Sequence, residues 1–197
     1  MIHMSVSRWI PSFKNTFGRG VFPHQMSFIL ELPLRRTLLS PRKLSNRLAL
    51  TATSHVLEVG AGSGFYSVEV ASSVSRGHFQ LLDIQLEMLE KARHKLEVEG
   101  LFNAGYTVAD AARLPFRNDC FDLIFLATVF GEIIKQHEFL SEAYRVLKPG
   151  GVLSISEHLP DPDFSPFTKV KLTVERGGFR FFERHGLRWN YTANFKK

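Results

Sequence analysis

The chain has 197 residues, of which 44% are hydrophobic and 22% are charged, a composition typical of one globular domain with a sizeable core. No apolar run approaches the roughly 20 residues that a membrane-spanning helix needs, and the single cysteine, Cys120, excludes an internal disulfide framework and a cysteine-cluster metal site. The net charge of +6 is unevenly distributed. Residues 1–50 carry eight basic and one acidic side chain, residues 51–168 carry nine basic and sixteen acidic ones, and residues 169–197 carry eight basic and two acidic ones.

Residues 1–50 are predicted to form a helical N-terminal lid, separate from a second unit at residues 51–197. Four prolines in this segment limit the length of its helices. Its aromatic residues need a surface to cover. Its basic charge favours an anionic substrate, a nucleic acid or a membrane surface as partner, or marks solvated helix faces. The first twenty residues lack acids, as mitochondrial transit peptides do, and no secretory signal follows the start. We therefore expect a cytoplasmic protein, with a mitochondrial location as the alternative.

From residue 54 onward, short apolar segments alternate with amphipathic ones, which is typical of an open, mostly parallel sheet with helices on both faces. Strands are predicted at residues 55–59, 79–83, 106–109, 122–127 and 152–156. Helices are predicted at residues 66–73, 86–97, 137–147 and 167–176. In the second helix, Leu86, Leu89, Ala92 and Leu96 are spaced to face the core.

The chain is predicted to turn at two glycine-containing segments. Lys148-Pro149-Gly150-Gly151 should end the third helix, since proline cannot continue a helix and glycine tolerates a left-handed backbone. Two closing strands at residues 179–183 and 187–195 are joined at His185-Gly186, and a connection that short favours an antiparallel hairpin.

The first strand runs into a glycine-rich turn with Gly60, Gly62 and Gly64 at alternate positions, and the first helix begins at Tyr66. Bare backbone at such a turn lets a nucleotide-like cofactor approach closely, and free N–H groups in the first helical turn can hold a carboxylate. The dinucleotide fingerprint requires a glycine one position after Gly64, where this chain has Phe65. The spacing therefore favours a cofactor other than a dinucleotide.

Acidic residues stand at the ends of the first three strands. Asp83 follows Gly64 by 19 positions, a spacing at which an acid binds ribose hydroxyls, although a helix N-cap is the alternative. Glu58 should face a positively charged group of the cofactor or cap the loop as a buried acid. Asp110 should accept a hydrogen bond from an adenine amino group or serve as a turn acid. Because the carboxyl ends of parallel strands share one edge of a sheet, these acids predict one site.

Several stretches resemble the class I S-adenosylmethionine (SAM)-dependent methyltransferases. Residues 56–66 resemble motif I of that class. Further stretches, at residues 110–116, 121–124, 147–151, 178–179 and 191–197, are similar to the ubiquinone/menaquinone C-methyltransferase-like (methyltransferase type 11) group. The resemblance covers about residues 54–197. It implies an α/β, Rossmann-like, mostly parallel seven-stranded sheet with an antiparallel last strand, SAM as cofactor and S-adenosylhomocysteine as product.

The strand-end positions and the resemblance together predict which residues contact SAM. The glycine turn meets the methionine part, Ile84 and Gln85 flank the adenine, and residues 127–130 pass beneath the sulfonium. The predicted contacts are Glu58, Gly60, Ala61, Gly62, Gly64, Tyr66, Asp83, Ile84, Gln85, Asp110, Ala111, Ala127, Thr128 and Phe130.

The implied reaction is in-line attack of a nucleophile on the sulfonium methyl, which the protein accelerates mainly by alignment. A general base is needed only if the acceptor must lose a proton. Candidates near the predicted mouth are His158, Glu132, Glu157 and, from the lid, His24, and the catalytic residue stays open among them. No cluster of acids and histidines resembles a metal site, so no metal is expected.

The main prediction is a SAM-dependent methyltransferase that acts on a small or medium-sized acceptor, with the basic lid favouring an anionic one. One alternative is an RNA- or protein-directed methyltransferase whose basic termini dock the substrate; nucleic acid is not the favoured partner. Another is a SAM-binding regulatory protein without turnover, because cofactor binding does not imply catalysis. The sequence leaves the oligomeric state open.

Overall fold

The computed structural model describes residues 40–197. Five helices lie in this range: α1 Pro41–Arg47, α2 Ser67–Ser73, α3 Leu86–Val98, α4 Gln136–Val146 and α5 Phe167–Arg176. Seven strands accompany them: β1 His55–Val59, β2 His78–Asp83, β3 Ala104–Val108, β4 Phe121–Ala127, β5 Leu147–His158, β6 Arg180–Leu187 and β7 Asn190–Lys196. Of the predicted lid, the described residues include α1, while His24 lies outside them.

The seven strands form one sheet in the order β3-β2-β1-β4-β5-β7-β6. Strands β1 to β5 are paired in parallel, and β7 lies antiparallel between β5 and β6. The strand order reverses between β1 and β4, and ligands of open α/β sheets bind at the carboxyl ends of the strands at such a point. The predicted Rossmann-like sheet with an antiparallel last strand is confirmed.

Helices cover both faces of the sheet. On one face, α4 and α5 pack their apolar side chains against β1, β4, β5 and β7. On the other, α1, α2 and α3 pack against β1, β2 and β4. Central strand β4 is buried on both sides at Leu123 to Leu126, as expected for a parallel strand between two helical layers.

The closing hairpin turns later than predicted. Strand β6 continues through Gly186 to Leu187, and the loop is Arg188-Trp189. Gly186 has φ +88, and a Cβ there would collide with the carbonyl oxygen of Asn190. The glycine therefore marks a close approach of the partner strand rather than the turn.

Two further predictions about local structure were wrong. Residues 148–151 follow the end of α4 at Val146 and include a left-handed Gly150, as predicted, but they do not form a separate turn, because β5 begins at Leu147, opposite Phe121, and a register shift follows before Val152 pairs with Leu123. In α3, Leu86 is exposed. Met88 takes the inward position instead, since it lies one helical turn from Ala92.

Candidate cofactor and acceptor site

The glycine turn after β1 is tied to the end of β2. The N–H groups of Gly60 and Ala61 donate to the carbonyl oxygen of Leu82, at 2.8 and 3.1 Å. The N–H of Gly62 donates to Oδ2 of Asp83 at 2.8 Å. These bonds bring the predicted methionine-binding turn and the predicted ribose-binding acid to one edge of the sheet.

Asp83 is buried, and both of its carboxylate oxygens bind backbone. Its Oδ1 accepts from the N–H of Gln85 at 2.9 Å, while Oδ2 accepts from Gly62. Burial raises the pKa of Asp83, and the backbone hydrogen bonds oppose that rise. Because each carboxylate oxygen has two acceptor sites, Asp83 can brace the turn and still accept from a ribose hydroxyl.

The glycines of the turn differ in what surrounds them. A Cβ on Gly64 would lie 3.0 Å from the backbone and side chain of Ala92 in α3, so a glycine there permits close helix packing. Gly62 has φ +54 and nothing within 4 Å of the position a Cβ would take. Next to it, Ser63 Oγ is buried and has no hydrogen-bond partner among the described residues. We call the open surface at Gly62 and Ser63 the glycine cradle. Open space beside an unsatisfied buried hydroxyl fits a polar cofactor that lies against the turn.

Glu58 lies beneath this turn and contacts α2. The hydroxyl of Ser67 donates to Glu58 Oε2 at 2.6 Å. Burial raises the pKa of Glu58 to about 8, and the charge of Asp83 adds to that rise. This contact joins β1 to the first turn of α2, so Glu58 has a structural role. Its predicted contact with a positively charged group of the cofactor stays a prediction.

The loop after β4 closes over the glycine turn. A Cβ on Gly60 would lie 2.5 Å from the side chain of Val129. Thr128 has φ +61, which is unusual for a β-branched residue and marks a strained position. Its N–H donates to the carbonyl oxygen of Ser156 at 2.8 Å. Phe130 is buried in the core against Phe139 of α4, so its predicted cofactor contact remains untested.

Exposed side chains flank the other side of the cradle. Ile84, directly after Asp83, is 53% exposed and offers an apolar surface for a planar ring. Asp110 is exposed, and its Oδ1 accepts from the N–H of Ala112 at 2.9 Å. These positions are compatible with the predicted adenine contacts.

A cavity of about 100 Å³ opens beside the cradle, between α1 and the edge of β5 and β7. Its lining includes Tyr66 from the end of the glycine turn and His158 at the end of β5. Sequence reasoning missed the lining residues Ser40, Lys43, Leu44, Arg47, Ser156, Asn190 and Thr192. Basic charge in the lid was the one sequence signal that pointed toward any of them.

The candidate bases occupy different environments. His158 faces the cavity, on the side of the sheet that α1 covers. Glu157 lies on the opposite face of β5 by strand alternation, where its carboxyl accepts from the N–H of Ser165 at 3.1 Å. Burial raises the pKa of both Glu132 and Glu157 to about 8, and neighbouring acids, including Asp161, add to the rise. Both carboxyls are thus largely protonated at neutral pH.

Within residues 40–197, no group of three or more His, Cys, Asp or Glu side chains is placed to hold a metal ion. None of the helices in that part of the chain is long and apolar enough to cross a membrane.

The sequence is similar to known methyltransferases. A family model described as a methyltransferase domain matches residues 56–151. The chain is 37% identical over 117 residues to the ubiquinone/menaquinone biosynthesis C-methyltransferase UbiE of Vibrio vulnificus, covering 58% of this chain and 45% of the relative. It is 35% identical over 134 residues to the protein of the same name from Rickettsia felis, covering 66% and 50%. The chain thus spans about half the length of the curated relatives it matches.

Solved structures share the fold. The crystal structure of a SAM-dependent methyltransferase from Aquifex aeolicus matches with a TM-score of 0.83 and 27% identity, over 89% of this chain and 99% of that one. The [4+2]-cyclase SpnF matches with a TM-score of 0.71 and 16% identity, over 79% and 80%, a likeness that shows the fold alone.

The fold, the glycine turn and these matches define the class: the chain belongs to the class I SAM-dependent methyltransferases. Within that class its sequence is similar to the UbiE C-methyltransferases over about half of their length. The family resemblance predicted from the sequence is confirmed.

Proposed function

We propose that this protein transfers a methyl group from SAM to a small or medium-sized acceptor. The observation that carries the proposal is the hydrogen bond from Gly62 to Asp83, which sets the open glycine cradle beside a buried carboxylate at the switch point of the sheet. The match to a methyltransferase domain supports it. The curated relatives are about twice as long as the part they share with this chain. The catalytic activity and the identity of the acceptor are therefore proposed for this protein rather than transferred from those relatives.

The residues around the cradle have distinct roles in this proposal. Gly62 leaves room for the methionine part of SAM, and Asp83 accepts from the ribose. Ile84, Gln85, Asp110 and Ala111 border the adenine. When bound, SAM supplies a methyl group that its sulfonium charge has already activated.

The acids near the cradle favour a cationic cofactor. Burial raises the pKa of Glu132, and charge repulsion from Asp83 and Glu157 adds to that rise, so these three carboxyls lie close enough to interact at this edge of the sheet. A positive charge entering there lowers the repulsion among them. We expect SAM, which is cationic at sulfur, to gain from this field relative to S-adenosylhomocysteine, which is not.

The chain aligns the acceptor and excludes water, since positioning alone can lower a barrier by up to about 7–11 kcal/mol. Tyr66 and Ser156 line the cavity that adjoins the cradle, so an acceptor bound there approaches the loop after β4. If the acceptor must lose a proton, His158 is the candidate base that faces this cavity, because the carboxyl of Glu157 binds Ser165 on the opposite face of the sheet.

The acceptor we propose is a small molecule with a quinol-type ring. The relatives are named for ubiquinone and menaquinone biosynthesis, and that name supports the choice of ring. The comparisons do not favour the RNA-directed, protein-directed or non-catalytic alternatives. We further propose a cytoplasmic protein that needs no metal, in which residues 1–50 form the lid and residues 51–197 the methyltransferase domain.

Two measurements on the full chain test the function. Calorimetry should show binding of SAM and S-adenosylhomocysteine. Incubation with methyl-labelled SAM and separate pools of quinols, tRNA and protein should then label the quinol fraction. Failure to bind SAM would overturn the proposal, and label in the tRNA or protein pool would move it to the corresponding alternative.

A further inference from the structure

The cavity between α1 and strands β5 and β7 is lined by polar and basic side chains. Its volume of about 100 Å³ is several times the roughly 10–15 Å³ that a cavity needs to hold one water molecule. It can therefore hold a polar group of several heavy atoms. Residues of the glycine turn, β5, β7 and α1 meet here, and no site predicted from the sequence includes all four.

Arg47 is the central charge of this cavity. It is partly buried, and its Nη1 donates to Thr192 Oγ1 at 3.1 Å. Thr192 in turn shares a hydrogen bond of 2.8 Å with Ser156 Oγ. A guanidinium has five N–H donors, and this is its one side-chain hydrogen bond within residues 40–197. Most of its donor capacity is therefore available to a ligand.

No described carboxylate neutralises Arg47. It forms no ion pair within residues 40–197, and burial alone lowers its pKa. Lys43, on the same helix, adds a second positive charge to the lining. Glu157 is the acid that borders the cavity, yet its carboxyl binds Ser165 on the opposite face of the sheet. These two basic side chains give the cavity a positive potential that no described carboxylate neutralises.

The backbone around Arg47 holds it in place. Asn194 Nδ2 donates to the carbonyl oxygen of Arg47 at 2.9 Å, which fixes the end of α1 on β7. Leu44 and Leu48 are buried on either side in the core. Arg47 is therefore presented by a docked helix rather than by a free surface.

The cavity also adjoins the glycine turn and the loop after β4. Tyr66 belongs to both the cavity lining and the end of the glycine turn. Ser156 lines the cavity, and its carbonyl oxygen accepts from the N–H of Thr128 in the loop after β4. A ligand held by Arg47 can thus extend toward the cradle.

We propose that this cavity is an acceptor subsite for an anionic group, a carboxylate or a phosphate, held by the guanidinium of Arg47. The inference rests on the proposed methyltransferase function and deepens it by naming the charge of the acceptor. Arg47 is a specificity determinant that binds and orients the acceptor and takes no part in proton transfer. The quinol-type ring would then carry an acidic substituent.

The test measures binding of three probes to the full chain saturated with S-adenosylhomocysteine, by ligand-observed NMR. Benzoate and phenyl phosphate carry the anionic group, and benzyl alcohol carries the same ring without charge. At least one anion should bind about tenfold or more tightly than the alcohol, because hydrogen bonds to charged groups are strong. The anion that binds more tightly shows whether the cavity prefers a carboxylate or a phosphate. Equal binding of all three probes, or none, would overturn the inference.

Arg47→Gln should weaken binding of the preferred anion about tenfold. Arg42→Gln removes the same charge from an exposed position on α1, outside the cavity, and should leave that binding unchanged. Equal affinities of the Arg47→Gln and Arg42→Gln variants for this anion would contradict a role for Arg47 in binding it. Should Arg47→Gln not fold, the comparison of probes on the unmodified protein still decides. Affinity for S-adenosylhomocysteine, measured in parallel, reports the proposed function separately, since its loss would implicate the cofactor site rather than the cavity.

Discussion

The carboxylate of Asp83 accepts a hydrogen bond of 2.8 Å from the N–H of Gly62, which joins the end of β2 to the glycine turn after β1. Its second oxygen accepts from Gln85 at the start of α3. One buried side chain thus fixes two loops that border the predicted SAM site. The N-cap of α3 is Gln85 rather than Asp83, so the structural role of Asp83 is to join these loops, which leaves acceptor sites for the predicted ribose contact.

Asp83→Asn should weaken SAM binding about tenfold or more, because an amide cannot accept from both backbone N–H groups and a ribose hydroxyl. Calorimetric titration with SAM measures the change. Asp119→Asn is the matched control, since Asp119 lies at the other end of β4, where its half-exposed side chain forms an ion pair with Lys197. An unchanged affinity in Asp83→Asn would exclude the ribose role.

Gly62→Ala should reduce SAM affinity more than protein stability. Gly62 and Gly100 both have positive φ and no atom within 4 Å of an added Cβ, so Gly100→Ala carries similar backbone strain, about 1 kcal/mol, far from the site. Calorimetry and thermal unfolding of the two variants should show similar losses of stability. SAM affinity should fall in Gly62→Ala alone, and equal affinities would mean that the cradle does not contact the cofactor.

Gly64→Ala should destabilise the protein more than Gly62→Ala does. Its Cβ would lie 3.0 Å from Ala92, so α3 must shift in addition to the strain of a positive φ. We expect a loss of roughly 2 kcal/mol or more in the free energy of unfolding, measured by urea denaturation. If Gly64→Ala loses no more unfolding free energy than Gly100→Ala, α3 can shift at this contact without a measurable cost in stability.

Sequence reasoning located the elements that have strong local signals. Strand β1 and helix α5 have the predicted limits, because a glycine turn ends one and two glycines end the other. The hairpin turn was misplaced at Gly186, since a glycine required by a close interstrand contact looks the same in sequence as one required by a turn. Boundaries of this kind depend on the partner strand, which the local pattern does not contain.

The cavity illustrates a second limit. Arg47 and Thr192 are 145 positions apart in the chain, and no periodicity or motif connects them. The three strand-end acids could be assigned to one edge because parallel strands share that edge by topology. The contact of α1 with β7 follows from tertiary packing of a segment that precedes the sheet, for which the alternation of strands and helices makes no prediction.

Arg145→Lys should destabilise the loop that follows Asp110. The guanidinium of Arg145 donates to the carbonyl oxygens of Leu114 and Phe116 and pairs with Glu142, a set of contacts that one ammonium group cannot reproduce. We expect a loss of about 1–3 kcal/mol in urea denaturation. Arg93→Lys, at the exposed pair with Glu97 on α3, should cost much less stability, and similar losses in both would contradict a special role for Arg145.

Glu58→Gln should change how stability depends on pH. Burial raises the pKa of Glu58 to about 8 from an ordinary value of 4.5, so the folded protein holds this proton more tightly than the unfolded chain. The resulting stabilisation is complete below the ordinary pKa and is lost as the pH rises through about 8. Gln keeps an oxygen that can accept from Ser67 and has no proton to lose.

Urea denaturation from about pH 5 to about pH 8.5 should therefore show the native protein losing stability relative to Glu58→Gln, on the order of 1 kcal/mol or more. Glu87→Gln, which removes an exposed carboxyl from the first turn of α3, is the matched control and should give a much smaller slope. A difference between the native protein and Glu58→Gln that stays constant with pH would mean that Glu58 ionises freely in the folded state. The hydroxyl of Ser67 would then donate to a carboxylate rather than to a neutral acid.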